Sequence, residues 1–199
     1  MAAIDMLYPQ WRGLTIHESS PSERGTSLRL KRECPNYTAS FYDPAIPLGT
    51  NHPRHGYRCE NLESLTFPEA SFDLVLTQDV FEHIFHPDWA IKEIARVLKP
   101  DGAYLMTVPI VMKSSPSQRR ARIDNNGNIT HLKASEYHGN PIDERGSLVT
   151  IDWGYDILDY LAFHSSLRCT MIYIDDLSRG IRAEFIEVIV CRRGVVPSI

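Results

Sequence analysis

The stretch Leu65–Gly102 reads LTFPEASFDLVLTQDVFEHIFHPDWAIKEIARVLKPDG and holds the two clearest secondary-structure signals in the chain. Phe72–Leu76 is apolar and β-branched enough to predict a strand buried on both faces, as in a parallel sheet. Pro87–Lys99 predicts a helix. Pro87 suits the first helical position, and Asp88 sits in the first turn, where the amide dipoles favour an anion. Trp89, Ala90, Ile91, Ile94, Ala95, Val97 and Leu98 then recur at helical spacing. Pro100-Asp101-Gly102 stops the helix and turns the chain into a further strand, Ala103–Val108.

Upstream, Leu14–His17 predicts a strand, followed by a polar turn from Glu18 to Gly25 and a helix over Thr26–Cys34. Tyr37–Tyr42 is a second strand. Pro44, Pro47, Gly49, Pro53 and Gly56 then oppose helix formation, and Tyr57–Cys59 is a short third strand. Downstream, the chain is polar and irregular from Ile110 to about Trp153. That is long for a connection within one domain and typical of a lid or moving segment. Helical spacing resumes at Tyr155–Leu161. Two late strands, Cys169–Ile174 and Phe185–Cys191, are joined closely enough to pair antiparallel. The fold class is therefore α/β, with a mostly parallel sheet ending in an antiparallel pair.

The chain has 199 residues, 43% hydrophobic and 23% charged, which suits a single domain over residues 1–199. The formal charge of −4 gives no bulk attraction to nucleic acid or an anionic membrane. The longest uncharged apolar run, Gly102–Met112, is too short to span a bilayer and contains Pro109. The opening residues lack the basic segment and apolar core of a leader, so the expected location is cytoplasmic. Cys34, Cys59, Cys169 and Cys191 are widely spaced, which predicts reduced buried thiols rather than a disulfide or a zinc cluster.

Ligands of open parallel sheets bind beyond the carboxyl ends of the strands. That directs attention to Glu18–Gly25, Tyr42-Asp43, Glu60-Asn61-Leu62, Thr77-Gln78-Asp79 and the loop after Val108. Leu65–Leu76, Gln78–Ile84 and Ala90–Gly102 together resemble the second half of class I S-adenosylmethionine-dependent methyltransferases, in the small-molecule branch called type 11. The family carries an LPF…SFDLV…LEH…EIxRVLKPGG run in the same order and spacing. The close resemblance covers about 45 residues.

The resemblance implies a Rossmann-like methyltransferase fold, a seven-stranded sheet with an antiparallel C-terminal pair, and S-adenosylmethionine as cofactor. It places Glu18, Ser19, Ser20 and Gly25 at the first cofactor turn. Asp43 matches the acid that takes the ribose hydroxyls, and Glu60, Asn61 and Leu62 match the residues around the adenine. Gln78 and Asp79 match positions at the end of the fourth strand that face the cofactor or acceptor. The first turn departs from the family: Ser19-Ser20-Pro21-Ser22-Glu23-Arg24 stand where glycines are usual, and only Gly25 remains. Side chains there restrict positive φ and take up room. Each acid also has a plainer reading. Glu18 and Asp43 suit turns, Glu60 is evenly balanced, and Asp79 suits a helix cap.

His83 and His86 are three apart, but no third metal ligand stands near them in sequence, so no metal site is expected. His52 and His55 lie in the Pro-rich loop and are expected to be solvated. The loop after Val108 carries Lys113, Arg119, Arg120 and Arg122, then His131 and Tyr137-His138. That charge would suit an anionic acceptor such as a phosphorylated or carboxylated sugar. Tyr137 or His138 is the candidate general base for a hydroxyl acceptor, or else an aromatic anchor for the loop.

The expected function is methyl transfer to a small-molecule acceptor. The alternative is a methyltransferase-like subunit that binds or partners without catalysis. A nicotinamide-dependent oxidoreductase would want a G-x-G-x-x-G turn, which the chain lacks. Little chain precedes the first strand, so N-terminal covering helices are not expected. The loop at about 110–153, or a second copy in a homodimer, is left to close the acceptor site.

Overall fold

Phe72–Gln78 forms a strand with residues buried on both faces, and the sheet is assembled outward from it. The computed structural model describes residues 1–139 and 145–194. In chain order the elements are α1 (Ala2–Leu7), β1 (Ile16–Ser19), α2 (Gly25–Glu33), β2 (Tyr37–Phe41), β3 (Arg58–Cys59), β4 (Phe72–Gln78), α3 (Pro87–Val97) and β5 (Leu98–Thr107). Short strands follow: β6 (Ile110–Met112), β7 (Gln118–Arg119), β8 (Ala121–Ile123), β9 (Ile129–His131), β10 (Tyr137–His138), β11 (Ser147–Leu148) and β12 (Ile151–Gly154). The chain closes with α4 (Ile157–Ser165), β13 (Arg168–Tyr173) and β14 (Glu187–Arg192).

The main sheet has seven strands in the order β13-β14-β5-β4-β1-β2-β3. β1 pairs parallel with β2 and β4, β4 with β5, and β2 with β3. β14 runs antiparallel to both β5 and β13. This is the expected architecture. Alternation along β4 divides the core into two layers. Val75 packs with Ile91, Ile94, Tyr104 and Trp153 on one side, and Leu74 and Leu76 pack with Trp11, Ile16 and Leu30 on the other.

α3 ends at Val97, where Leu98 leaves helical geometry at ψ 135. Asp101 is left-handed at φ 62, and a side chain at Gly102 would stand 2.8 Å from the Lys99 carbonyl, so this turn needs glycine. Ala90, Ile91, Ile94 and Val97 are fully buried, each large side chain contributing roughly 1.5–3 kcal/mol. Arg96 on the same helix donates to the carbonyls of Leu65 and Phe67 and to Glu93, which accepts the Leu65 N–H. This clip fixes the segment leading into β4. Arg96→Ala is expected to lower unfolding free energy in urea by about 1–2 kcal/mol, the group being one-third exposed.

Three expectations need correction. Covering structure does precede β1: Ala3 and Ile4 of α1 are buried, and Trp11, on a single 3-10 turn, is buried completely. Its Nε1 donates to Asp5, which also takes Arg29. Six residues are too few to show a helical period, which hid this element in the sequence. Among the described residues, the segment after Ile110 is not irregular. β12 pairs with β6 and β7, β8 with β9, and β10 with β11, in strands of two to four residues. Finally, Cys169 and Cys191 lie directly opposite one another in the β13–β14 register and form a disulfide. Cys34 and Cys59 are buried free thiols.

Candidate functional site

β1 extends to Ser19, so Glu18 and Ser19 belong to the strand rather than to the turn after it. The Glu18 carboxylate is completely buried and joins three elements. Its Oε1 accepts from Ser27 Oγ of α2 at 2.7 Å and from Gln78 Nε2 of β4 at 2.6 Å, and its Oε2 accepts from Tyr37 OH of β2 at 2.7 Å. Burial raises its pKa, and the three donors oppose that rise.

Ser20 adopts a left-handed conformation, φ 55, and its N–H donates to the Ser40 carbonyl at 2.7 Å. A serine thus holds the backbone geometry that a glycine would supply. Gly25 is also left-handed, at φ 56, and has no atom within 4 Å of where a Cβ would stand. Ser22 donates its N–H to Ser27 Oγ and its hydroxyl to the Arg24 carbonyl, so the turn is braced by serines. Ser20→Gly removes the left-handed strain of a non-glycine residue. It is expected to stabilise the fold by about 0.5–1 kcal/mol after glycine's extra backbone entropy, checked by thermal and urea unfolding.

Asp43 follows β2. Its Oδ1 accepts the Ala45 N–H, and its Oδ2 lies 3.6 Å from His52 Nε2. The turn-capping reading is therefore realised with one oxygen. His52 is not simply solvated: its ring packs on His55 and Tyr57 at 4.6 and 4.9 Å. Glu60 is buried, and its carboxylate is occupied within its own loop by Arg58 Nε, Thr66 N and Thr66 Oγ1. Asn61 Oδ1 accepts from the Glu63 N–H, and Leu62 is a core residue. The backbone is engaged too: the Glu60 N–H donates to the Phe41 carbonyl and the Asn61 carbonyl accepts the Ser64 N–H.

Asp79, next after β4, is left-handed at φ 52 and accepts from Thr107 Oγ1 at 3.1 Å. It is not the cap of the following 3-10 turn, Phe81–His83, whose cap position is Val80. Burial, then the charge of Glu82, pushes the Asp79 carboxyl up. His138 of β10 reaches the same place, with Nδ1 3.5 Å from Glu82 Oε1, and Glu82 raises its pKa. Its neighbour Tyr137 is more than half exposed, on the opposite face of the strand. Sequence reasoning missed Glu82, which is buried beside His83; its position directly before His83 in the motif was the available signal.

His83 is partnered by Glu82 and His138 rather than by His86, whose ring stacks on Trp89 at 4.3 Å. Three basic residues of the segment after Val108 have separate partners. Arg120 pairs with Asp152 and Glu136, Arg119 donates to the Phe85 carbonyl, and Lys113 donates to the Glu184 carbonyl. Of these three, Arg120 is paired with carboxylates, while Arg119 and Lys113 bond to carbonyls and keep their charge. Beside Gln78 a largely apolar cleft of about 410 Å3 opens, lined by Ile4, Thr26, Thr107, Ile181 and Phe185.

The methyltransferase domain family matches residues 38–106, about a third of the chain. A Mycolicibacterium smegmatis protein described as a probable S-adenosylmethionine-dependent methyltransferase is 36% identical over 67 residues, 34% of this chain and 26% of that one. This chain spans less than half the length of the curated relatives it matches. An S-adenosylmethionine-dependent methyltransferase from Mesorhizobium loti superposes over 96% of both chains with a TM-score of 0.56 at 16% identity. The Burkholderia thailandensis 1,6-didemethyltoxoflavin-N1-methyltransferase, solved with 1,6-didemethyltoxoflavin and S-adenosylhomocysteine, superposes over 97% of this chain and 77% of its own. Its TM-score is 0.53 at 14% identity.

Proposed function

From the premise that residues 38–106 belong to the methyltransferase domain family, within a chain that carries the class I methyltransferase fold, we propose that this protein transfers a methyl group from S-adenosylmethionine to a small-molecule acceptor. The observation that carries the reading is the first turn. Left-handed Ser20 and unobstructed Gly25 support a close approach of a cofactor to the Ser19–Gly25 backbone, although most of the usual glycines are missing. Bound there, S-adenosylmethionine would supply a methyl group from its sulfonium for in-line displacement.

The residues of this chain bind, align and exclude water. Glu18, through Ser27 and Gln78, sets the position of the turn against β4. Ser19, Ser20 and Gly25 would line the amino-acid end of the cofactor. The free lone pairs of Asp43 would take ribose hydroxyls by charge-assisted hydrogen bonds. The backbone of Glu60 and Asn61, with Leu62 behind it, would border the adenine. Gln78 and Asp79 would face the methyl group, and the cleft beside Gln78 has room for a small acceptor. Residues 110–153 would close that end as a lid. In it, His138, whose Nδ1 lies 3.5 Å from Glu82 Oε1, would take a proton from a hydroxyl acceptor, whereas Tyr137 faces the other side of β10.

Calorimetric titration with S-adenosylmethionine and S-adenosylhomocysteine tests the reading. One equivalent bound is the expected result, and no heat from either at millimolar concentration overturns it. Tight cofactor binding without product from any acceptor would favour the non-catalytic partner subunit instead.

A further inference from the structure

Glu82 is 2% exposed, and among the described residues neither of its carboxylate oxygens has a hydrogen-bond partner. A buried carboxylate without donors is costly, and native folds rarely leave one uncompensated. Two imidazole nitrogens flank it. His83 Nε2 lies 3.6 Å, and His138 Nδ1 3.5 Å, from the same oxygen, Oε1. Both separations exceed the usual range of a hydrogen bond, about 2.7–3.2 Å. They match a coordination shell instead, because two ligand atoms about 2.1 Å from one tetrahedral ion stand about 3.4 Å apart. One ligand atom from each residue lies within 4.8 Å of the others.

The surroundings orient the two rings as ligands. His83 Nδ1 is 2.9 Å from the Leu148 carbonyl, and donating its hydrogen there leaves the Nε2 lone pair on the Glu82 side. His138 Nε2 lies 3.6 Å from Glu136 Oε1, so a carboxylate stands behind the second ring as well. A carbonyl or carboxylate behind each histidine is the usual arrangement around a bound metal ion. The rings stand nearly perpendicular, at 88°, with centroids 5.1 Å apart. The frame is fixed by backbone contacts: Thr150 donates its N–H to the Glu82 carbonyl and its hydroxyl to the carbonyls of Glu82 and Ile84.

We propose that Glu82, His83 and His138 form a binding site for one divalent transition-metal ion of the zinc class, leaving a coordination position open. Two imidazoles and one carboxylate select such an ion over magnesium or calcium, which prefer all-oxygen shells. The site joins the turn after β4 to β10 of the inserted segment, so a bound ion would also fasten that segment to the sheet. Ion binding does not depend on the methyl-transfer reading. It does exclude His138 as a free base while the ion is held; a hydroxyl acceptor coordinated at the open position would then have its pKa lowered and release its proton to solvent.

The test is titration of chelator-treated full chain with Zn2+, and separately with Mg2+, followed by calorimetry and thermal unfolding. One Zn2+ per chain, a rise in Tm with Zn2+ and no comparable effect of Mg2+ are expected. Glu82→Gln and His138→Ala should each weaken Zn2+ binding by roughly 100-fold, whereas His131→Ala, outside the cluster, should leave it unchanged. His138 is half-exposed, so its variant tests the site even if Glu82→Gln folds poorly. Co2+ should give the visible bands of a tetrahedral site in the wild type and lose them in His138→Ala. Absence of stoichiometric Zn2+ binding, or binding that survives both substitutions, overturns the proposal.

Discussion

Glu18→Ala is expected to lower the unfolding free energy by about 3–5 kcal/mol and to weaken S-adenosylhomocysteine binding at least roughly 100-fold, because it removes the acceptor of three donors at once, one fully and two partly buried. The hydroxyls of Ser27 and Tyr37 and the amide of Gln78 all converge on this carboxylate. Each donor left without a partner costs about 1–3 kcal/mol, with incomplete additivity because the three share one acceptor. The turn that follows β1 loses its reference against α2 and β4 together. Urea unfolding and calorimetry on the variant measure the two effects. Glu18→Gln, which keeps the shape and one acceptor, should recover part of the stability. A Glu18→Ala protein within 1 kcal/mol of wild type would contradict this view of the junction.

The second large effect is acid lability centred on His17. Its ring is fully buried between Phe67 and Phe72, and its Nε2 bonds to Ser40 Oγ at 2.8 Å. Burial, then the nearby Arg58 charge, pushes its pKa down from 6.5 to about 3. The folded chain therefore binds fewer protons at this site than the unfolded chain between those two values. The associated stability is intact above pH 6.5 and falls with decreasing pH, by up to about 1.4 kcal/mol per unit, until about pH 3. Between pH 7.5 and 4.5, wild type should lose about 2–3 kcal/mol more than His17→Leu, which has no proton to gain. Parallel stability profiles for the two proteins would show that His17 does not drive the loss.

How much of this was legible depends on the length of each element. β4 and α3 were readable because seven and eleven residues suffice to display a two-sided apolar strand and a helical stripe. The antiparallel pair followed from the short connection between two apolar runs. By contrast, α1 and the strands β6–β12 are too short to display a period, so the inserted segment read as irregular. The disulfide depends on register: Cys169 and Cys191 meet only because β13 and β14 place them opposite.

The candidate site was legible as a set of strand ends but not as an arrangement. Position after β1 and β4 singled out Glu18 and Gln78, yet their hydrogen bond spans sixty residues. Glu60 looked available to a ligand until Arg58 and Thr66 were found on its oxygens. The partnership of His138 with Glu82 and His83 depends on the β10–β11 hairpin, which the sequence did not disclose. Local composition shows which residue types are present. Long-range closure decides which of them meet.

The most direct test of the central claim is amide-resolved NMR of the 22.7 kDa chain during titration with S-adenosylhomocysteine. The account predicts saturable shifts concentrated at Ser19–Gly25, Asp43, Glu60–Leu62, Gln78 and Asp79, with α4 and the outer face of α3 undisturbed. A spectrum that does not change, or changes confined to residues away from the carboxyl ends of β1, β2 and β4, would contradict it.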